Sequence, residues 1–181
     1  MNMSIIKTYN IRIVPTNSTY DDIFGFKKQF ITKYGNHPLS NSNPHITLAQ
    51  FDMDYQYHDK LINFFTQLAY NKTFNLSIEG FKVFPKLLFL DVPVTKEINL
   101  IHEQLKTIWV RDLHFKSSLL KISKTPHITI SKTFDKATLE ASFDFFSKMG
   151  YANTFEVNHL ILTSREPSKT WDWEQKIILT S

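Results

Sequence analysis

The sequence predicts an α+β fold made of two similar β-α-β-α-β halves, bilobed and duplicated, with antiparallel sheets facing a central cleft and helices outside. Three observations predict it: an internal repeat at nearly half the chain length, matching strand and helix patterns around each copy, and the composition of an ordinary globular chain. Of 181 residues, 42% are hydrophobic, 14% aromatic and only 21% charged, which is enough to bury a core and too apolar for a disordered chain. The repeat is Asn43-Pro44-His45-Ile46-Thr47-Leu48-Ala49, which recurs as Thr125-Pro126-His127-Ile128-Thr129-Ile130-Ser131, 82 residues later. A repeat fixes the architecture before any local reading does. The expected organisation is one bilobed domain over 1–181, with lobe repeats 1–86 and 87–181 and strands free to exchange between them.

Each element follows from its own pattern. Tyr9 to Val14 reads as a strand. Ile23, Phe26, Phe30 and Tyr34 then recur at helical spacing before Gly35, a helix stop. The His45 strand follows, then Leu61, Phe64, Phe65 and Leu68 on a second amphipathic helix, and Phe74 to Phe84 alternates as a strand. In the second half Leu87 to Val94 is a strand. Ile98, Ile101, Leu105 and Ile108 line one helix face, with Thr95 placed as its cap. After the His127 strand, Asp135 caps a helix carrying Leu139, Phe143 and Phe146 that ends at Gly150, and Phe155 to Thr163 and Trp171 to Leu179 are the closing strands.

Composition removes whole classes of chemistry. With no Cys, the chain has no disulfide framework, thiolate metal site, iron–sulfur cluster or cysteine nucleophile. Met1 to Thr8 lacks the apolar run of a secretory signal, and no stretch approaches about 18 consecutive apolar residues, so a cytoplasmic protein without membrane association is expected. The net charge of +4 is spread in ones and twos, as in Lys27-Lys28, unlike the clusters of a duplex-binding domain; on charge alone it reads as a solvated basic surface, which suits an anionic ligand without demanding one.

The motif residues point to one reaction type. Alternation along a strand puts His45 and Thr47 on one face and Ile46 and Leu48 on the other, and does the same for His127 and Thr129 against Ile128 and Ile130. Each strand therefore offers an imidazole and a hydroxyl, about 7 Å apart, to a polar face, and a pseudo-twofold axis lets the two faces meet across a cleft. The proline before each His biases the preceding residue to an extended conformation. Cleaving a phosphodiester needs a base for the attacking oxygen and an acid for the leaving one, and His serves either role near neutrality. Threonine hydroxyls can donate to the non-bridging phosphate oxygens, where charge builds. Neither motif supplies a carboxylate of the kind a two-metal phosphodiesterase uses, so no metal and no other cofactor is expected.

Paired Pro-His-Ile-Thr-Leu and Pro-His-Ile-Thr-Ile, about eighty residues apart in a chain of this length, resemble the two His-x-Thr-x signatures of the two-histidine phosphoesterase superfamily, which includes bacterial 2′-5′ RNA ligase and cyclic phosphodiesterase proteins. The order of elements matches over essentially the whole chain, and motif identity is confined to the two short segments. The resemblance implies a bilobed fold with a central cleft and metal-independent hydrolysis or transfer at 2′,3′-cyclic or 2′-5′ phosphodiesters of nucleotides or RNA ends. It implies catalysis by His45 and His127, with Thr47 and Thr129 on the phosphate. The alternatives are the reverse reaction, 2′-5′ RNA ligation, for which the same acid and base serve, and an RNA- or nucleotide-binding module without turnover. A monomer is expected.

Three further residues are candidate substrate contacts. Arg12, between Ile11 and Ile13, faces away from the core and can line the cleft. Phe51 and Phe134 lie just past the two motifs, where a ring can stack on a base, although core packing is the alternative for both. Lys132 follows the second motif, but strict alternation points it away from His127. His37, His58, His102, His114 and His159 share no spacing with each other or with a hydroxyl, and are read as surface or core histidines.

Overall fold

A computed structural model describes residues 4–181; residues 1–3 of the N-terminal segment read above lie outside it. In chain order the elements are β1 (Ile6–Ile13), α1 (Asn17–Tyr34), β2 (Ile46–Asp54), α2 (His58–Phe65), β3 (Phe74–Glu79), β4 (Phe81–Phe84), β5 (Leu87–Asp91), α3 (Lys96–Thr107), β6 (Lys121–Ile122), β7 (His127–Lys132), α4 (Lys136–Ser147), β8 (Ala152–Val157), β9 (His159–Arg165) and β10 (Trp173–Ile178). The helix signals act where the sequence puts them. Gly35, at φ 85, caps α1 by donating to the Ile31 carbonyl, the Thr95 hydroxyl accepts from the Ile98 amide, and the Asp135 carboxylate accepts from Ala137 and Thr138. Three readings are refined. The Phe155–Thr163 run is parts of two strands, β8 and β9, broken at Asn158 and placed in different sheets. The Phe74–Phe84 run is two strands hinged at Gly80, whose φ of 78 suits a residue without Cβ, and the Leu61–Leu68 helix tightens into a 3₁₀ turn after Phe65.

The main sheet runs β10-β9-β1-β2-β7-β5-β4, with β6 also beside β2, and β3 and β8 form a separate antiparallel pair. The pairings between these strands are antiparallel, and an isolated parallel bridge joins Lys72 to Thr180. The sheet is two half-sheets, β10-β9-β1-β2 and β7-β5-β4, which meet at the β2–β7 seam through the pair Ile46 and Ile128. That pair is the central residue of each copy of the repeat, so the seam lies on the pseudo-twofold relation between the copies. Helices cover one face: α1 packs on β7, α4 on β4 and β5, and α3 on β2. Beneath them lies one core, with Ile46, Leu48, Ile128 and Ile130 fully buried at the seam and Phe51, Phe65 and Trp109 packed around β2. The uncovered face carries the polar members of the strands. No helix among the described residues is long and apolar enough to cross a membrane.

Candidate active site

The seam dictates the site. With Ile46 paired to Ile128 in antiparallel register, Thr129 falls opposite His45 and His127 opposite Thr47. The four motif residues therefore share the open face, with His45 and Thr129, and likewise Thr47 and His127, roughly one strand spacing, about 4.8 Å, apart. His45, Thr47 and Thr129 line one cavity of about 600 Å³. Each imidazole is anchored the same way: Nδ1–H of His45 donates to the Asn43 carbonyl and Nδ1–H of His127 to the Thr125 carbonyl, both at 2.8 Å. A carbonyl only accepts, so the anchor puts the proton on Nδ1 and leaves Nε2 as the working nitrogen of both rings. The intervening prolines hold these carbonyls in place for the contact.

The surroundings of the two rings differ. Burial pushes His45 down to about 4, Arg12, Lys27 and His127 add to the fall by their charge, and the Asn43 carbonyl opposes it. His127 instead sits among rings, 5.2 Å from Phe89 and 5.8 Å from Phe84 between centroids and edge-on to both, with Asp91 opposite it on β5.

A β-bulge follows each motif threonine and corrects two sequence readings. Arg12 pairs with Thr47 and Ile11 with Ala49, so Leu48 is an extra residue in β2; Phe89 pairs with Thr129 and Leu88 with Ser131, so Ile130 is extra in β7. An extra residue shifts the alternation by one. Phe51 consequently falls on the core side, 1% exposed and stacked on Tyr9 and Trp109, and is no substrate contact. Lys132 turns onto the open face with Thr129, opposite to the reading from strict alternation, and approaches the Phe134 ring. Phe134 is 65% exposed.

Arg12 lies on the open face beside Thr47, as alternation in β1 requires. It is only 8% exposed, stacked at 4.2 Å on Trp171, and its Nη2 has no hydrogen-bond partner. Burial pulls its pKa to about 10, which leaves it charged at neutral pH. Its Nε donates to Asn10 Oδ1 at 3.2 Å, and Asn10 Nδ2 donates to Thr47 Oγ1 at 3.4 Å. Thr47 thus has an oxygen occupied as acceptor and a hydroxyl proton to give. Asn10 is absent from the sequence-based candidates, although its position two residues before Arg12 already puts it on the same face.

A buried side chain stands behind each bulge, and Lys27 is bonded to its own. Lys27, 1% exposed, donates to the carbonyls of Thr129 at 2.8 Å and Ile130 at 3.1 Å, and to Leu39 at 2.8 Å. Burial pulls its pKa toward 7, while three carbonyl acceptors match the three N–H groups of an ammonium and favour the charged form. On the other half, His102 is buried in α3 and faces the Leu48 carbonyl, at the other bulge. Both residues stand four after an Ile and three before a core residue, Ile23 and Phe30 for Lys27, Ile98 and Leu105 for His102. That place on the apolar stripe of each helix was the available signal.

Among the described residues no group of three His, Asp or Glu side chains is placed to hold a metal ion. The fold and the paired His-x-Thr seam define a two-histidine phosphoesterase architecture. The family model of the 2′-5′ RNA ligase superfamily matches residues 20–169, and the chain belongs to that superfamily. Its fold is similar to that of Escherichia coli LigT, at TM-score 0.61 and 13% identity for the apo form and 0.66 and 12% for the complex with 3′-AMP, each comparison covering 98% of this chain and 100% of the other. It is similar also to TT0787 of Thermus thermophilus, at TM-score 0.65 and 12% identity over 94% of this chain and 97% of that one. A sequence comparison with curated proteins finds no match.

Proposed function

We propose that this protein is a metal-independent phosphodiesterase that opens 2′,3′-cyclic or 2′-5′ phosphodiester bonds of nucleotides or RNA ends. The observation that carries the reading is the seam itself, which brings two His–Thr pairs into register with both rings anchored through Nδ1. His45, kept unprotonated by its surroundings, is the base: its Nε2 takes a proton from water as the water oxygen attacks phosphorus. His127 is the acid, giving its Nε2 proton to the ribose oxygen as the bond from phosphorus to that oxygen breaks. Thr47 and Thr129 donate to the non-bridging oxygens, and the Arg12 guanidinium adds positive charge next to Thr47. The product of a cyclic substrate is a phosphomonoester with a free neighbouring hydroxyl. Binding of 3′-AMP by the structurally similar LigT is consistent with a product of this kind.

The direct test is incubation with a panel of 2′,3′-cyclic and 2′-5′-linked substrates in excess EDTA. Turnover at the same rate with and without chelator is expected, since neither motif carries a metal-binding set. Recovery of activity only on adding Mg²⁺, Mn²⁺ or Zn²⁺ would overturn the mechanism.

A further inference from the structure

Phe84 belongs to two neighbourhoods. Its ring meets His127 edge-on, and it also lines a separate cavity of about 540 Å³ between the β4–β5 turn and the β7–α4 connection. The walls are largely apolar and include Phe84, Phe134, Leu139 and Phe143. Two ammonium groups approach the exposed Phe134 ring, Lys86 Nζ at 5.1 Å and Lys132 Nζ at 5.5 Å from its centroid. Among the described residues neither lysine pairs with a carboxylate, whereas Lys82 is held by Asp91 and Lys136 by Glu140. The other acid in the wall, Asp135, is engaged in capping α4. Lys86 also holds φ at 70, a left-handed conformation that favours glycine, so the turn keeps a charged side chain where the backbone would be easier without one.

We propose that this cavity is a second nucleotide subsite, in which the base next to the reacting nucleotide stacks on Phe134 and its phosphate is drawn to Lys86 and Lys132. The chemistry favours this occupant. A ring accepts any base by stacking, and unpaired cations beside it suit the phosphate of the same nucleotide. Phe84 borders this cavity and meets His127 edge-on, so the cavity lies beside the catalytic seam, and the proposal places neighbouring nucleotides of one strand at the two. On this proposal the preferred substrate class is a single-stranded RNA end of two or more nucleotides, since a mononucleotide has no second base to stack on Phe134. The inference rests on the phosphodiesterase reading for its orientation, while its test rests on binding.

The test compares the dissociation constants of a dinucleotide with a terminal 3′-phosphate and of the nucleoside 3′-phosphate alone, by titration at fixed salt, in the native protein and in Phe134→Ala and Lys86→Gly. The dinucleotide should bind at least about fivefold tighter, the low end of what one stacked base contributes. That ratio should fall toward one in both variants. Lys86→Gly relieves the left-handed turn, so a lost ratio there cannot be blamed on misfolding. Equal affinities in the native protein, or a ratio that survives both substitutions, would overturn the subsite. Turnover of the matching 2′,3′-cyclic substrates separates the two ideas: a binding preference without any turnover sinks the catalytic reading alone, and turnover with a ratio of one sinks the subsite alone.

Discussion

The His45 half and the His127 half of the cleft carry the same motif on the same bulged strand and differ in what stands around it. Arg12 and Lys27 bring positive charge to His45, and Trp171 covers Arg12. Around His127 stand Phe84 and Phe89, with Asp91 across the strand pair. The state with one imidazole free and the other protonated is most populated when something separates the two rings. Duplication supplies two His–Thr pairs in register, and the differing neighbours are the basis on which His45 is proposed as the base and His127 as the acid.

The sharpest way to break this comparison is to remove each ring. His45→Ala and His127→Ala should each lower turnover by roughly 10² or more, the size of a lost acid or base, with folding retained because both side chains are only half-buried. A substrate with an activated leaving group distinguishes them, since such a group departs without an acid. His127→Ala should regain much of its activity and His45→Ala should not. Equal rescue of both, or of neither, would contradict the division of labour.

The hydroxyls come next. Thr47→Val and Thr129→Val keep the shape and should each slow turnover by about tenfold or more, with kcat affected more than KM. Only Thr47 has Asn10 behind it. Asn10→Ala should slow the native enzyme by less and add little to Thr47→Val, a non-additivity that double-variant kinetics reads directly.

Lys27 and Phe51 separate the support of the site from the core beneath it. Lys27→Met leaves the Thr129 and Ile130 carbonyls without their donor, and should cost about 1–3 kcal/mol of stability together with activity lost through Thr129. Phe51→Ala empties a core position and should cost about 3–5 kcal/mol, with kcat kept in the molecules that remain folded. Denaturant melts paired with kinetics check both; a large kcat loss in Phe51→Ala would return that ring to the site.

The smallest effect is a shift in pH dependence. With His45 held at about 4, the acid limb of log(kcat/KM) should lie well below the ordinary histidine range, and Arg12→Gln should move it upward by removing a charge that disfavours protonation. The stability consequence has the same origin. Between about 4 and the ordinary 6.5 the unfolded chain holds a proton at this residue that the native state does not, so stability falls as pH drops through that window. His45→Ala should flatten this part of the stability curve. An acid limb near 6.5 in the native enzyme would remove the electrostatic argument for His45 as base.

The sequence by itself determined the elements and the four catalytic candidates. The repeat, the helix stops at Gly35 and the caps at Thr95 and Asp135 are local signals, and a His-x-Thr pair on a strand shares one face at period two wherever the strand lies. Arg12 was legible for the same reason, because β1 has no extra residue between Ile6 and Ile13. Tertiary structure decided everything downstream of a bulge. Alternation holds only along an uninterrupted ladder, and the extra residues Leu48 and Ile130 exist only in relation to β1 and β5, which are distant in sequence. That is why Phe51 went to the core and Lys132 to the open face. The buried ammonium of Lys27 is the same kind of fact, since its acceptors Thr129 and Ile130 lie about a hundred residues away and become its neighbours only when α1 packs on β7.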